Sequence, residues 1–183
     1  MIDARNFAVE RTLRNGVAVT IRAARADDRE RVADAFRRLD RESVYTRFFA
    51  FKHELSVAEL ARIGAMDFSS DVMLVATIAA TDGEVVIGSA RYIADAPSDG
   101  PRDAEVSFTV EEDYQGLGLA GRLLTHLVAI ARHSGIERFT ADVLPGNAPM
   151  LAVFSRSGLP MRQRRQTGVV HLTLELNAPS NEV

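Results

Sequence analysis

The chain has 183 residues, 46% of them apolar, and a net charge of −3, which suits one domain. The absence of cysteine excludes disulfides, thiolate metal sites and cysteine nucleophiles. The overall charge disfavours nucleic acid as a partner, and no apolar run reaches the ~18 residues of a membrane span. Because the N-terminal segment is too charged for a secretory signal, we expect a cytoplasmic protein with one domain over residues 1–176 and a disordered tail over 177–183.

The first half of the chain predicts one strand, two or three helices and a hairpin. Apolar residues recur at helical spacing in the first helix, and Ser56 with Glu59 forms a capping box for another. Asp82-Gly83 lies between two apolar stretches and is a strong hairpin signal. In chain order the predicted elements are strand 17–23, helix 28–40, helix 44–51, a helix after 56, strand 72–80 and strand 85–94.

The second half predicts strands that alternate with helices and a closing strand pair. Val106 and Phe108 lie on one face of a predicted strand, and Glu105 and Ser107 lie on the other. The predicted elements are strand 104–110, a long helix after 118, strand 139–144, helix 148–157 and strands 159–163 and 169–176. This order predicts an α/β fold with a mixed, mostly antiparallel sheet of about seven strands and four or five helices, not a doubly wound parallel fold.

A glycine-rich turn between a strand and the long helix carries the clearest chemical signal. Gly116 and Gly118 allow a tight turn and a close approach to a ligand. The N-terminus of the helix offers unpaired N–H groups, so the turn could hold a phosphate or pyrophosphate. With Gly121 the spacing also fits a dinucleotide fingerprint, but the preceding strands form a meander and not the start of a βαβ unit. From spacing alone, an ordinary strand-to-helix turn is an equally open interpretation.

The order of elements and this turn together resemble the GNAT acetyltransferase superfamily. The acetyl-CoA signature of that superfamily, R/Q-x-x-G-x-G/A, is matched by Gln115, Gly118 and Ala120. The resemblance covers nearly the whole chain, from about residue 17 to residue 176. The other matching positions are Asn147 and the turn 154–158. The resemblance implies the GNAT fold, acetyl-CoA as cosubstrate and no metal.

The resemblance also implies how the chain would hold acetyl-CoA. Backbone amides from Leu117 to Gly121 would bind the pyrophosphate, and residues 108–110 would pair with the pantetheine arm. The Thr109 amide would polarise the thioester carbonyl, and Asn147 would hydrogen-bond the pantetheine. The implied cosubstrate residues are Phe108, Thr109, Val110, Gln115, Gly116, Leu117, Gly118, Leu119, Ala120, Gly121, Asn147 and Phe154.

Glu105 is the candidate catalytic base. Acetyltransferases of the protein-lysine type have a glutamate early on this strand, and Glu105 occupies that position. The reaction needs a base because an ammonium cannot attack a thioester, and we expect burial in a cleft to make the carboxylate a stronger base. The alternative is a solvated glutamate at a strand end. At Phe154 the chain departs from the many relatives in which a tyrosine is the acid that protonates the leaving thiolate. Here Ser155 or a water would protonate the thiolate, or no general acid would be needed.

A narrower resemblance concerns the acceptor. The stretches 43–49 and 55–62 resemble the catalytic domain of bacterial protein lysine acetyltransferases, which silence acyl-CoA synthetases. The resemblance implies direct transfer to a protein lysine on such a synthetase, by a stand-alone enzyme without a cyclic-nucleotide-binding domain. A small-amine acetyltransferase and a non-catalytic acyl-CoA-sensing module are the alternatives. Within this segment, Phe48 and Phe49 are expected to be core residues.

Two further groups of residues have open roles. Arg162, Arg164 and Arg165 could meet an acidic protein surface, although a solvated loop is the alternative. The four histidines have no metal spacing and no expected Asp or Ser partner, so we assign them no role.

Overall fold

One eight-stranded sheet organises the computed structural model, which describes residues 2–48, 54–96 and 99–177, without the side chains of Thr46 and Phe48. The strands are β1 (Ala8–Thr12), β2 (Ala18–Ala23), β3 (Asp71–Ala80), β4 (Gly83–Ala94), β5 (Asp103–Val110), β6 (Arg138–Val143), β7 (Met161–Gln166) and β8 (Val169–Glu175). The helices are α1 (Arg29–Arg38), α2 (Arg41–Phe48), α3 (Val57–Ile63), α4 (Leu119–His133) and α5 (Ala148–Ser155). The strand order is β1-β2-β3-β4-β5-β6-β8-β7.

The mixed, mostly antiparallel sheet expected from the sequence is confirmed. Every neighbouring pair of the described strands is antiparallel except β5 and β6, which are parallel. The hairpin at Asp82-Gly83 and the capping box of Ser56 and Glu59 are both present. Residues 49–53, including Phe49, lie outside the described residues, so the expectation of a core role for Phe49 stays a prediction.

The two edge strands are where the sequence prediction differs most from the structure. β1 was not predicted, and β7 begins and ends later than expected. Edge strands lack a neighbour on one side and commonly carry charged residues, so their apolar alternation is weak. In β7 every residue from 162 to 166 is exposed, which leaves no hydrophobic pattern to detect. The three arginines predicted for a loop or an acidic partner therefore lie in a strand.

Helices cover the sheet on both faces, whereas residues 162–166 of the edge strand β7 are exposed. Leu123 and Leu127 of α4 pack with Val106 and Phe108 of β5 in the larger core. A smaller core on the opposite face joins α1 and α3 to β3 and β4. We call these the α4 face and the α1–α3 face. Because side chains alternate along a strand, Glu105, Ser107 and Thr109 of β5 belong to the α1–α3 face.

The parallel pair β5–β6 determines the shape of the site. The two strands pair at only three positions, from Asp103 opposite Arg138 to Glu105 opposite Thr140. Two 2.7 Å hydrogen bonds from the Arg138 guanidinium to the Asp103 carboxylate close this paired end. Beyond Glu105 the strands part, and a gap separates them up to Val110 on β5 and Val143 on β6.

A buried ion pair fixes the start of α1 on the sheet. Arg22 of β2 donates hydrogen bonds of 2.7 and 2.8 Å to Asp28, and the two side chains are 2% and 0% exposed. Burial raises the pKa of Asp28, but hydrogen bonds from Arg22 and from the Arg25 N–H outweigh it, and the net shift is downward. The carboxylate thus stabilises the fold above its unfolded pKa, and this contribution is lost as the pH falls through the lowered folded value.

Asp28→Asn should lower the free energy of unfolding at pH 7 by about 3–5 kcal/mol, because it leaves the buried Arg22 charge with only the partly exposed Glu84. Chemical denaturation measures this loss, and the difference from wild type should shrink at acid pH. Asp27→Asn is the matched control, because Asp27 is 68% exposed and its loss should change stability by no more than about 0.5 kcal/mol. Equal stability of Asp28→Asn and wild type at pH 7 would contradict the role of the pair.

Candidate active site

The gap between β5 and β6 is a cleft of about 950 Å³. Both parted strands, the turn before α4 and the loop before α5 line it. Most of the residues predicted for the cosubstrate lie along it, whereas Leu117 and Gly121 are not among the lining residues. The predicted residues that do line it are Glu105, Phe108, Thr109, Val110, Gln115, Gly116, Gly118, Leu119, Ala120, Asn147 and Phe154.

The backbone of β5 presents hydrogen-bonding groups to the cleft at alternate residues. The N–H of Glu111 donates to Ile87 on β4, and Arg102 accepts from Glu137 on the β6 side. Odd-numbered residues of β5 therefore bond to β4, and even-numbered residues face β6 or the gap. Beyond the last pair at Glu105, the backbone groups of Phe108 and the N–H of Val110 are among those that face the gap, whereas Val110 O accepts from Gln115. The expectation that the Thr109 amide polarises a carbonyl in the cleft is wrong, because Thr109 pairs with Ser89 of β4.

The turn before α4 leaves backbone amides available at the end of the cleft. Gly116 and Gly118 have φ values of +72° and +87°, which are open to glycine but strained for other residues. The N–H of Arg122 donates to Gly118 O at 3.2 Å, and the amides before it fall in the first turn, where a helix has no carbonyl to offer them. These amides and the helix dipole form a site suited to a phosphate.

Gln115 and Asn147 have defined contacts at the cleft. Gln115 Nε2 donates to Val110 O at 3.0 Å and to Ser43 Oγ at 3.4 Å, which ties the turn to β5 and α2. Asn147 caps α5, and its Oδ1 accepts from the Met150 N–H at 3.3 Å. Because the cap uses the side-chain oxygen, the side-chain NH₂ of Asn147 is the group that could donate to a ligand.

Phe154 lies at the floor of the cleft on the α4 face. It is 1% exposed, and its ring meets that of Phe108 edge-on with a centroid distance of 5.8 Å. A phenyl ring has no proton to donate. Ser155, considered from the sequence as a replacement acid, is not among the residues that line the cleft. Neither Phe154 nor Ser155 is therefore placed to protonate the leaving thiolate.

Glu105 lies on the α1–α3 face at the point where β5 leaves β6. Its side chain is exposed, so the expectation that Glu105 is buried is wrong. Arg47 of α2 lies near it and donates from Nη2 to Ser107 Oγ at 2.7 Å. Burial lowers the pKa of Arg47, and the negative charge of Glu105 opposes that shift. A carboxylate and a guanidinium therefore stand together at the open edge of the cleft.

Sequence reasoning missed several side chains at the cleft. The sequence resemblance includes Arg47 only as part of the stretch 43–49 and predicts no contact for it. The expectation that no histidine has an aspartate partner is wrong, because His171 Nδ1 lies 2.5 Å from Asp142 Oδ1, and Asp142 lines the cleft. These partners lie on different strands, so only the strand register could have revealed them.

A second cavity of about 290 Å³ lies on the α1–α3 face, between α1, α3 and strands β4 and β5. Its lining is largely apolar and includes Phe36 and Ile63. Arg47, Ser107 and Thr109 line both this cavity and the cleft, so the two spaces adjoin at these three residues. A small group attached to a reacting amine could therefore occupy it.

Comparisons with known proteins identify the family. The profile described as "Acetyltransferase (GNAT) family" matches residues 33–159. The chain belongs to the GNAT acetyltransferase family. It is therefore an acetyl-CoA-dependent N-acetyltransferase, and the fold and cosubstrate implied by the resemblance are confirmed. Enzymatic function disfavours the non-catalytic sensing module.

Among solved structures, the GNAT domain of S. lividans PAT has a TM-score of 0.83 and 36% identity, and the match covers 92% of this chain and 96% of that one. An acetyltransferase of Pseudomonas aeruginosa is 34% identical over 69% of this chain and 67% of its own length. Acetyltransferase Pat of Mycolicibacterium smegmatis is 30% identical over 86% of this chain and 46% of its own length. The chain thus spans about half of Pat. No helix in the described part of the chain is long and apolar enough to cross a membrane.

Gly118→Val should abolish the stabilisation by acetyl-CoA, because valine is strained at φ +87° and would displace the amides of the turn. For wild type at one hundred times Kd, we expect about 2.7 kcal/mol of stabilisation, seen as a shift in thermal unfolding. Gly135→Val is the matched control. It places the same strain at φ +76°, at the other end of α4, and should keep the ligand-induced shift. A full shift in Gly118→Val would contradict this assignment of the turn.

Proposed function

We propose that the protein transfers the acetyl group of acetyl-CoA to a lysine side chain on a folded protein, by direct attack in a ternary complex. An acyl-CoA synthetase is the proposed acceptor. The likeness to the GNAT domain of PAT and to Pat supports this choice, as does the sequence resemblance of the α2 and α3 segments. The observation that carries the proposal is the position of Glu105, exposed where the cleft opens toward an uncovered part of the sheet.

In the proposed reaction the two substrates approach the gap from different sides. The amides at the start of α4 bind the pyrophosphate, and the backbone groups of Phe108 and Val110 pair with the pantetheine arm and orient the thioester. Glu105 accepts a proton from the acceptor ammonium, directly or through a water. The neutral amine then forms the N–C bond to the carbonyl carbon, and the nitrogen loses its second proton to solvent. The C–S bond breaks, and solvent protonates the thiolate. Asn147 assists by donating to the pantetheine.

A row of paired residues connects Glu105 to the open end of the sheet. Glu105 pairs with Thr140, Thr140 with Thr173, and Thr173 with Arg162. Paired residues share a face, so Arg162 lies on the face of Glu105, three strand spacings or about 14 Å away. Arg164 has the same orientation, through its pairing with His171. An acceptor protein that presents a lysine to Glu105 would contact these arginines.

Arg165 provides a contrast within the same strand. It pairs with the buried Val170, so its side chain points to the opposite face. The three arginines predicted as one cluster are therefore divided between two faces, two toward the proposed acceptor and one away. An acidic patch beside the acceptor lysine would complement Arg162 and Arg164.

Glu105→Gln should lower turnover by roughly 10²–10⁴-fold at neutral pH, because the amide keeps the shape of the side chain and cannot accept the proton. Acetyl-CoA affinity should barely change, since backbone groups provide the proposed contacts. Steady-state rates and calorimetry measure the two effects. Glu30→Gln, at an exposed position of α1, is the control for loss of one negative charge. Activity within threefold of wild type would assign the proton transfer to another group.

Replacing both Arg162 and Arg164 by Gln should lower kcat/KM for the protein acceptor roughly tenfold at low salt and weaken its salt dependence. The Arg165→Gln control should leave both unchanged. Whole acyl-CoA synthetase should also be a far better substrate than free lysine, because contacts away from the reacting amine orient it. If the double variant and the Arg165→Gln control behave alike, the acceptor does not dock on this face.

A small amine is the second candidate acceptor, and the cavity on the α1–α3 face favours it. That cavity adjoins the cleft at Arg47, Ser107 and Thr109, so a small amine bound there would lie close to the proposed thioester position. A screen of spermidine, aminoglycosides and acyl-CoA synthetases with acetyl-CoA, read out as free CoA, separates the candidates. Efficient acetylation of a small amine, without acetylation of any synthetase tested, would overturn the protein-lysine proposal in favour of the small-amine enzyme.

A further inference from the structure

Three arginines converge at the N-terminal end of α4, next to the glycine-rich turn. The rings of Phe7 and His126 meet at a tilt with a centroid distance of 5.2 Å, so the start of β1 lies beside α4. Arg11 lies further along β1 on the half-buried side, and Arg122 lies one turn before His126 on the same side of the helix. Arg14 follows in the turn between β1 and β2. We call Arg11, Arg14 and Arg122 the arginine group.

Arg14 is held directly on the turn that precedes α4. Its backbone N–H donates to Leu117 O at 3.4 Å, and its Nη1 donates to Gly116 O at 3.3 Å. A Cβ on Gly118 would lie 3.7 to 3.9 Å from the Arg14 guanidinium. The guanidinium therefore stands beside the N-cap of α4. Because it has five N–H donors and spends one on Gly116, it retains donors for another partner.

The charge of the arginine group is not neutralised by neighbouring side chains. Within the described ranges, no carboxylate forms an ion pair with Arg11, Arg14 or Arg122; Arg11 donates only to the backbone carbonyl of Glu10. Burial lowers the pKa of His126, and the positive charges of Arg11 and Arg122 lower it further. A positive field therefore surrounds the first two turns of α4, on the same side as the positive end of its dipole.

We propose that Arg14, with Arg122 beside it, binds a phosphate group at the nucleotide end of acetyl-CoA. Coenzyme A carries a pyrophosphate and a ribose 3′-phosphate, and an arginine fork fits the paired oxygens of either. These arginine side chains would add to the contacts made by the backbone amides of the turn. Arg14 comes from a part of the chain 102 residues before Gly116. The proposal rests on acetyl-CoA as cosubstrate, not on the identity of the acceptor.

Calorimetric titration with CoA and with dephospho-CoA tests the proposal. Arg14→Gln should weaken the binding of CoA about tenfold or more and lower its salt dependence. Arg122→Gln should weaken it in the same sense. Arg14→Lys keeps the charge without the fork and should retain part of the affinity. Arg165→Gln removes one positive charge from the distant strand β7 and should bind CoA as wild type does.

The two ligands distinguish which phosphate is bound. If Arg14 holds the 3′-phosphate, Arg14→Gln should lose affinity for CoA and keep that for dephospho-CoA. If it holds the pyrophosphate, both affinities should fall by the same factor. Unchanged affinity for both ligands in Arg14→Gln and in Arg122→Gln, with normal binding by wild type, would overturn the proposal. Because binding is measured without an acceptor, this outcome is distinct from failure of the protein-lysine proposal.

Discussion

The separation of β5 from β6 is the constraint on which the active site depends. The α4 crossover makes these neighbours parallel, and they pair at only three positions before they diverge. Past Glu105, the backbone groups of Phe108 and the N–H of Val110 lose the strand that would otherwise bond them, while Val110 O accepts from Gln115. Polar backbone groups removed from water without a partner are costly, so such a gap suits an extended ligand with amide groups of its own. The pantetheine arm of acetyl-CoA has that chemistry.

In the proposed reaction, the same separation sets the two substrates on different faces of the sheet. The turn before α4 and the arginine group lie at the proposed phosphate end, whereas Glu105, Ser107 and Arg47 lie on the α1–α3 face, from which the proposed acceptor would approach. A base that takes a proton from the substrate amine must reach that amine without crossing the cosubstrate. The strand alternation of β5 meets that requirement, because its side chains serve one substrate while its backbone serves the other.

The sequence predicted those parts of the site that lie within one short segment. The spacing of Gln115, Gly118 and Ala120 located the turn, and the alternation of β5 placed Glu105 on the polar face. Side-chain alternation does not reveal which neighbouring strand a backbone group faces, and this is why the role given to the Thr109 amide was wrong. Arg14 and Arg47 come from elements that are distant in the sequence, so local patterns do not predict their positions. The extent to which Glu105 is buried depends on packing, which local patterns do not predict either.

Amide-resolved hydrogen exchange with and without acetyl-CoA tests the central claim most directly. If the parted strands receive the cosubstrate, acetyl-CoA should slow exchange at one or both of the Phe108 and Val110 amides and at the first amides of α4. The Thr109 amide, already bonded to β4, should change little. Protection elsewhere on the protein, with none at Phe108, Val110 or the start of α4, would contradict the assignment of the gap as the acetyl-CoA site.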